Sequence, residues 1–331
     1  MDKKYCDAVF EGGGVKGIGF AGAIRAIEQA GYEFHCVAGT SAGAIAASLL
    51  AAGYTGEEIE HELLNLDFRT LGRRRRWYKF RVVTNTIRVI RHFGVYKSDA
   101  FEDWLGELLA RKGVVTFGDL RTDNSEERFK YRFQAIASNL TRRQMLILPR
   151  DLALFGFDAD KFPVAKAVRM SMSIPLFYRP YVLHDVNDVQ QHIVDGGLLS
   201  NYPVWLLDRR DGPPRWPTFG FRFTNDGRTK HQYNPTETID SFVEFAQGLL
   251  GTMLDSMDSK FISTSSGDFA RSILIPTNVP TRNGERRVTA TYFEITDGEN
   301  RAMIQNGRRA AEDFLAEWNF ERWKKKYRNN S

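Results

Sequence analysis

The sequence predicts an α/β fold in which helices cover both faces of a mostly parallel sheet. Tyr5–Phe10 is a short apolar strand that leads through a glycine loop into a helix ending near Ala30. Phe34–Ala38 is a second strand, and a second glycine turn leads from it into a helix of small residues that ends near Ala52. Alternation of this kind predicts a parallel sheet whose ligands bind at the carboxyl ends of the strands. Both glycine turns should therefore lie at that edge of the sheet.

A basic segment comes next in the chain. Residues 68–98 contain ten arginines and lysines and no aspartate or glutamate, and apolar residues recur there at helical spacing, at Trp77, Phe80, Val83, Ile87 and Ile90. The pattern predicts an inserted basic amphipathic helix. Such a helix could lie on an anionic membrane with its apolar face down, or pack on the core with its arginines in water.

The later elements complete one domain. Periodicity predicts helices and strands in the following order: helix Phe101–Lys112, strands Arg132–Asn139 and Gln144–Leu148, helix Lys161–Ser173, strands His192–Val194 and Phe219–Phe223, and helices Thr236–Phe261 and Asn300–Trp323. No internal repeat separates them. We expect a single domain over residues 1–331, with a motif-bearing core at 5–205, the basic insertion at about 68–98 and a C-terminal helical portion at about 236–331.

Composition and charge indicate the cellular compartment and the kind of partner to expect. Cys6 and Cys36 are the only cysteines and no apolar signal core opens the chain, so we expect a cytoplasmic protein with two buried, inert thiols. No apolar run approaches the roughly 18 residues that span a bilayer. A net charge of +5 and a pI near 9.1 suit an anionic partner. Peripheral contact with an anionic membrane fits these values, whereas nucleic acid is not expected because no recognised nucleic-acid motif accompanies the arginines.

The second glycine turn contains a candidate nucleophile. Gly39-Thr40-Ser41-Ala42-Gly43 fits the G-x-S-x-G pattern between a strand and a helix, the context of a nucleophile elbow. Glycines two residues before and after the serine allow the tight turn, and the helix N-terminus favours developing negative charge on Ser41. A turn of small residues without chemistry would give the same pentapeptide.

The first glycine turn provides backbone donors. Gly12-Gly13-Gly14-Val15-Lys16-Gly17 offers consecutive N–H groups that no side chain obstructs, which predicts an anion cradle. The spacing of its glycines also matches the dinucleotide fingerprint. That fingerprint usually has an acidic residue at the end of the second strand, whereas here Glu33 precedes the strand. A Walker A loop is excluded because Ile18 follows Gly17, where that motif requires a lysine and then a serine or threonine.

A third glycine site supplies a candidate base. Asp195-Gly196-Gly197, followed by Asn201-Tyr202-Pro203, places a carboxylate at a strand end. Alone this is an ordinary turn. Together the three sites provide the nucleophile, base and oxyanion donors of acyl transfer. A Ser-Asp-His order would need a histidine downstream of Asp195, and only His231 qualifies. His184 and His192 lie just before Asp195. A Ser–Asp dyad is the economical interpretation.

These elements resemble the signature of the patatin-like phospholipases in its usual order. The resemblance spans roughly Asp7 to Tyr202 and includes Met170-Ser171-Met172-Ser173-Ile174-Pro175. It implies a three-layer α/β/α fold and acyl-ester hydrolysis without a metal or cofactor, with the site residues assigned as follows: Ser41 as nucleophile, Asp195 as base, Gly12, Gly13 and Gly14 as oxyanion hole, and Lys16, Gly39, Gly43 and Gly196 in support. Many members carry arginine where this chain has Lys16. That lysine could support the loop, attract a lipid phosphate, or lie solvated on the surface.

The resulting expectation is a serine lipid acyl hydrolase of the phospholipase A or lysophospholipase type, acting on phospholipid or another acyl-ester lipid. Two alternatives stay open. One is an α/β-hydrolase esterase with a full triad that uses His231. The other is a non-catalytic lipid- or nucleotide-binding protein that keeps the glycine cradles.

Overall fold

A mostly parallel sheet forms the centre of the molecule. The computed structural model describes residues 3–66, 92–209, 212–224 and 267–328 except positions 125, 282, 283, 291 and 293, and residue 248 in addition. Within these residues the sheet has eight strands: β1 Lys4–Phe10, β2 Tyr32–Thr40, β4 Phe133–Asn139, β5 Gln144–Leu148, β7 Tyr181–His184, β8 Gln190–Asp195, β9 Thr218–Thr224 and β10 Ser272–Pro276.

The strand order is β10-β9-β1-β2-β4-β8-β7, and β5 pairs separately with β4. The first five strands in this order run parallel, whereas β5, β8 and β7 form antiparallel pairs. Two small sheets accompany the large one, formed by β3 Gly94–Tyr96 with β6 Leu176–Tyr178 and by β11 Asn278–Thr281 with β12 Gly284–Arg287. The prediction of an α/β fold with a mostly parallel sheet is confirmed.

Helices flank this sheet. Their bounds are α1 Gly19–Gln29, α2 Ala42–Ala51, α3 Gly56–Asn65, α4 Asp99–Arg111, α5 Val164–Ser171, α6 Asp297–Glu317 and α7 Phe320–Tyr327. A large apolar cluster on one face of the sheet joins strand residues such as Phe10 and Phe221 to α1, α2, α5 and α6. A smaller cluster on the opposite face contains Val9, Cys36 and Ile136 and packs against short 3-10 segments. In the part of the chain that the structure describes, none of the helices has the length and apolar character needed to cross a membrane.

The structure differs from several sequence-based expectations or does not cover them. Most of the basic insertion and all of the helix expected at Thr236–Phe261 except residue 248 lie outside the described residues. The insertion is not helical to its end, because Gly94–Tyr96 forms β3. The C-terminal portion is not purely helical, because β10 joins the central sheet and β11 and β12 form a hairpin.

The final helix was expected to be continuous over Asn300–Trp323 and is instead divided into α6 and α7. Trp318 and Asn319 adopt extended backbone between the two helices. The Asn319 side chain accepts a hydrogen bond from the Arg322 N–H, so it caps α7 as a new helix. Asparagine caps helices well because its side-chain oxygen replaces a missing backbone acceptor, and here that cap overrides the continuous apolar periodicity.

Candidate active site

Ser41 lies on a sharp turn between β2 and α2. Its φ of 54° and ψ of −122° fall in a region that non-glycine residues rarely occupy. Its carbonyl accepts hydrogen bonds from the Ala44 and Ile45 N–H groups of the first turn of α2, at 2.9 and 3.2 Å. The turn therefore places the side chain at the N-terminus of a helix, where the helix dipole favours negative charge.

The glycines around Ser41 are required by close backbone packing. A Cβ atom added to Gly39 would lie 2.3 Å from the Gly43 carbonyl, and one added to Gly43 would lie 2.3 Å from the Phe10 carbonyl. Real Cβ contacts are never this short, so any side chain would push α2 away from β1 and β2. The G-x-S-x-G pattern is thus explained by the approach of α2 to the ends of both strands.

Asp195 ends β8 on the other side of this turn. It pairs with Ala137 of β4, and its N–H donates to the Ser173 carbonyl at 2.9 Å. The following Gly196 lies against β4, since a Cβ there would be 2.3 Å from the Ile136 carbonyl. Asp195 is 2% exposed and Ser41 5% exposed, so the two candidate catalytic groups are both buried.

Burial sets the protonation of Asp195. Removal from water raises its pKa from 3.8 to about 6, and interactions with the Ser41 hydroxyl and the Gly197 N–H offset part of the rise. The Gly197 N–H donates to Oδ1 at 2.8 Å. Oδ2 is buried and accepts no hydrogen bond from any residue that the structure describes. One carboxylate oxygen is therefore fixed by the backbone while the other stays free to take a proton.

The glycine loop after β1 lies beside Ser41, because a Cβ on Gly12 would be 3.4 Å from the Ser41 Cβ. The expectation that all three glycine N–H groups face an oxyanion is corrected at Gly12, whose N–H donates to the Asn201 carbonyl at 3.0 Å. The N–H groups of Gly13 and Gly14 donate to no other described residue. Gly14 has a φ of +54° and meets the Ala290 carbonyl so closely that only glycine fits there.

Lys16 is buried rather than solvated. It is 6% exposed, and its ammonium group lies 5.1 Å from the centre of the Phe223 ring, a cation–π contact. A Cβ on Gly13 would lie 3.4 Å from the Lys16 Cε, so the lysine side chain runs along the glycine loop. The interpretation of Lys16 as a surface lysine is therefore wrong.

Two polar residues that were not assigned a role from the sequence hold these loops together. Ser171 Oγ accepts a hydrogen bond from the Ser41 N–H at 3.0 Å and donates to the Ile136 carbonyl at 2.6 Å. The Asn201 side chain donates to the Gly12 carbonyl at 3.1 Å. Ser171 lies in the motif Met170–Pro175, and Asn201 begins the motif Asn201–Pro203. Membership of these motifs is the feature of the sequence that points to both residues.

The histidines do not complete a triad in the part of the chain that the structure describes. His231 lies outside that part. His184 and His192 belong to the β7–β8 hairpin, where His184 pairs with Gln190 and His192 pairs with Val182. The His192 ring contacts Phe93, with the ring centres 5.7 Å apart.

The chain is similar to known proteins in sequence and in fold. Residues 8–208 match the family model of the patatin-like phospholipases. The chain is 37% identical over 316 residues to the uncharacterized protein YqhO of Bacillus subtilis, covering 96% of this chain and 100% of YqhO. It is 26% identical over 274 residues to the uncharacterized protein R571 of Acanthamoeba polyphaga mimivirus, covering 81% of each chain. The crystal structure of VipD from Legionella pneumophila has the same fold, with a TM-score of 0.55 at 17% identity over 95% of this chain and 67% of VipD.

Proposed function

The chain belongs to the patatin-like phospholipase family, and from that premise we propose that it is a serine lipid acyl hydrolase of the phospholipase A or lysophospholipase type. The observation that carries the proposal is the placement of Ser41 on a strained turn beside the buried carboxylate of Asp195. Strain of this kind, which costs about 1–3 kcal/mol, persists at functional sites where the surrounding structure enforces it.

The proposed reaction begins with attack by Ser41 Oγ on the ester carbonyl, while Asp195 Oδ2 accepts the hydroxyl proton. The N–H groups of Gly13 and Gly14 donate to the carbonyl oxygen as it gains negative charge. Collapse of this intermediate breaks the ester bond, and the leaving alkoxide takes the proton from Asp195. Asp195 then takes a proton from a water molecule as that water attacks the acyl-enzyme. It passes this proton to Ser41 Oγ as the acyl–oxygen bond breaks, which releases the fatty acid and restores both residues.

The pKa of Asp195 suits this role. A carboxylate with an ordinary pKa is a weak base, because proton transfer to it from an alcohol is strongly uphill. A pKa of about 6 leaves most of the group ionised at neutral pH and makes the ionised form a better proton acceptor. Burial of the site thus supplies basicity that a histidine would otherwise provide.

The test uses a serine-reactive fluorophosphonate probe and mass spectrometry of the products from a mixed phospholipid extract. We expect wild type to be labelled and to release fatty acid, and Ser41→Ala to do neither. Asp195→Asn should lose hydrolysis while keeping the fold. Ser48→Ala is the matched control. Ser48 is also a buried serine, but it lies within α2 and its hydroxyl donates a hydrogen bond to the Ile45 carbonyl of its own helix.

Each alternative gives a different outcome in the same experiment. Labelling or hydrolysis at the wild-type rate in Ser41→Ala would refute the assignment of the nucleophile. Loss of activity in His231→Ala would support the full triad. Absence of labelling in wild type and variant alike, with lipid binding retained, would support a non-catalytic binding protein.

Contact with a lipid surface is a further part of the proposed function. β8 runs antiparallel to β4, so Gln190 lies five residues beyond Asp195, which at about 3.4 Å per residue is about 17 Å past the site. The β7–β8 turn and the β4–β5 turn therefore project from the sheet edge that carries Ser41. The two turns and strand β7 expose four apolar side chains, here named the apolar rim: Leu140, Val182, Val186 and Val189.

The apolar rim suits an insoluble substrate. Val186 and Val189 are 67% and 50% exposed at the tip of the β7–β8 turn. Apolar side chains on the edge that carries the site could enter a lipid interface and bring the nucleophile to its ester, with each buried CH₂ group contributing about 0.8 kcal/mol.

This contact is tested by sedimentation with phosphatidylcholine vesicles, with and without an anionic lipid, in a Ser41→Ala background. Val186→Asp with Val189→Asp should weaken vesicle binding. Val115→Asp is the matched control, because Val115 is 57% exposed near the opposite edge of the sheet. The same substitutions in the active enzyme should spare hydrolysis of a water-soluble short-chain ester. Unchanged vesicle binding would refute the lipid contact and leave the hydrolase proposal intact.

A further inference from the structure

A second cluster of chemically reactive side chains lies at the opposite end of the sheet from Ser41. It consists of Asp7 on β1 and of His35 and Cys36 on β2, and their ligand atoms all lie within 4.8 Å of one another. Cys36 precedes Ser41 by five residues along β2, a separation of roughly 16 Å. The cluster is therefore separate from the hydrolytic machinery.

A β-bulge brings these side chains together. Cys6 pairs with Phe34 and Ala8 pairs with Val37, so the single residue Asp7 faces both His35 and Cys36. Neighbouring residues of a regular strand point to opposite faces of the sheet, whereas a bulge redirects one of them. The His35 Nδ1 and the Cys36 Sγ accordingly lie 3.2 Å apart, and His35 Nδ1 lies 3.8 Å from Asp7 Oδ1.

The carboxylate of Asp7 is held in position by its neighbours. The Cys36 N–H donates to Asp7 Oδ1 at 2.9 Å, and the Trp216 side chain also interacts with the carboxylate. The His35 and Trp216 rings are in contact, with centres 4.6 Å apart. Partners of this kind orient the ligands of a metal before it binds.

An open space adjoins the cluster. A small pocket that opens to solvent is bounded by Asp7 and His35 and also by Asn124, Arg209, Trp216 and Thr218. The His35 side chain is 31% exposed, whereas Cys36 is fully buried. A cation held by the three side chains would therefore have an entry path and a fourth coordination position on the pocket side.

We propose that Asp7, His35 and Cys36 bind a zinc ion. Thiolate, imidazole and carboxylate are the ligands that Zn²⁺ takes in proteins, at about 2.3, 2.0–2.1 and 2.0–2.2 Å. Tetrahedral ligands at those bond lengths lie about 3.3–3.6 Å from one another. Zinc binding would therefore widen the Nδ1–Sγ separation of 3.2 Å and narrow the Nδ1–Oδ1 separation of 3.8 Å, each by about 0.5 Å or less. Binding displaces the proton of the Cys36 thiol to the solvent, and a water molecule from the pocket completes the coordination.

The experiment titrates chelator-treated, full-length protein with Zn²⁺ by isothermal calorimetry and with Co²⁺ by absorption spectroscopy. We expect one ion per chain and a thiolate-to-cobalt charge-transfer band. Loss of even an outer-shell partner of a metal lowers affinity about 10–100-fold, so Cys36→Ala and His35→Ala should each weaken Zn²⁺ binding by at least tenfold. Both variants should fold, because each substitution only removes atoms and the His35 side chain is partly exposed.

Cys6→Ala is the matched control. Cys6 is also a buried free cysteine, it precedes Asp7 on β1, and it belongs to the apolar cluster on the other face of the sheet. It should keep the zinc affinity and the cobalt band of wild type. Equal affinity in wild type and Cys36→Ala, or a cobalt complex without a thiolate band, would overturn the proposal. Ester hydrolysis by the chelator-treated protein is measured in parallel. Its presence or absence tests the proposed hydrolase function and not the zinc site.

Discussion

At the scale of single residues, the buried charge of Asp195 links activity to stability. Its pKa of about 6 exceeds the ordinary value of 3.8 by about 2, and each pKa unit corresponds to about 1.4 kcal/mol. The folded state therefore binds this proton more tightly than the unfolded state. Stability from the protonated form is complete below about pH 4 and is lost as the pH rises through about 6, so ionisation costs the folded state about 3 kcal/mol.

We therefore predict that Asp195→Asn is more stable than wild type above pH 6, with a free energy of unfolding that is higher by up to about 3 kcal/mol. The difference should vanish near pH 4. Hydrolysis by wild type should rise with pH through about 6 and then level off, because only the ionised carboxylate accepts a proton. Urea unfolding and initial rates across this pH range measure both effects. Asp313→Asn, at an exposed position of α6, should leave the pH dependence of stability unchanged. A stability difference between wild type and Asp195→Asn that is equal at pH 4 and pH 7 would contradict the argument.

Asn201 is predicted to position the glycine loop. Asn201→Ala removes the hydrogen bond to the Gly12 carbonyl but keeps the backbone bond from the Gly12 N–H. A displacement of about 1 Å at a catalytic group can cost about 10²-fold in rate, so we expect kcat to fall about 10–100-fold with little change in KM. Asn306→Ala is the control, because the Asn306 side chain donates to the Pro276 and Asn278 carbonyls away from the site. Equal losses of kcat in the two variants would assign Asn201 a purely structural role.

The sequence predicted some of these residues and not others, for a physical reason. Ser41 and Asp195 each stand in a local glycine pattern, and such patterns are visible within five residues. The hydrogen bond from the Ser41 N–H to Ser171 joins residues 130 positions apart, and the bond between Asn201 and Gly12 joins residues 189 apart. Contacts of this range leave no periodic trace, and for the same reason the engagement of the Gly12 N–H with Asn201 was missed.

At the scale of elements, the close approach of α2 to β1 leads to a prediction about Gly43. A Cβ on Gly43 would lie 2.3 Å from the Phe10 carbonyl and 2.6 Å from the Glu11 carbonyl, neither of which can rotate away. Overpacking of this kind costs about 1–3 kcal/mol or more, so Gly43→Ala should lose stability and activity together.

The control for Gly43 lies in α4. A Cβ on Gly106 would meet nothing closer than the Ala165 Cβ at 3.9 Å, and glycine in a helix interior costs about 0.5–1 kcal/mol relative to alanine. Gly106→Ala should therefore raise the midpoint of thermal unfolding while leaving hydrolysis intact. Destabilisation by both substitutions would show that backbone contact does not explain the elbow glycine.

Elements with strong periodicity or glycine punctuation were predicted within a few residues. β1, β2, β4 and β5 agree with the expected strands, and α4 begins two residues before its expected start. β10, Ser272–Pro276, was missed, because its apolar residues are explained only by pairing with β9, a contact between distant parts of the chain. The division of α6 from α7 depends on one capping residue, Asn319, within a pattern that is otherwise helical.

At the scale of the whole molecule, the two ends of the chain build one sheet. β1, the strand before the glycine loop, is paired on both sides, with β2 and with β9, and β9 pairs in turn with β10. The Phe10 and Phe221 rings stack with centres 4.5 Å apart. α6 packs on α1 so closely that a Cβ on Gly307 would lie 1.9 Å from the Gly19 carbonyl. The match to the family model ends at residue 208, but the packing that supports its first strand and helix comes from later residues.

We therefore predict that a chain ending at Asp208 does not fold. Without β9 and β10, β1 becomes an exposed sheet edge, and α1 loses the apolar face of α6. Circular dichroism and urea titration should show no cooperative unfolding, and the fluorophosphonate probe should not label Ser41. A chain ending at Trp318 is the control, since it lacks α7 and the ion pair of Arg328 with Asp208 but keeps β9, β10 and α6. Loss of the buried Trp323 should cost that shorter chain about 3–5 kcal/mol while it keeps the sheet and the site. Cooperative unfolding of the chain that ends at Asp208 would show instead that the region matched by the family model is an independent folding unit.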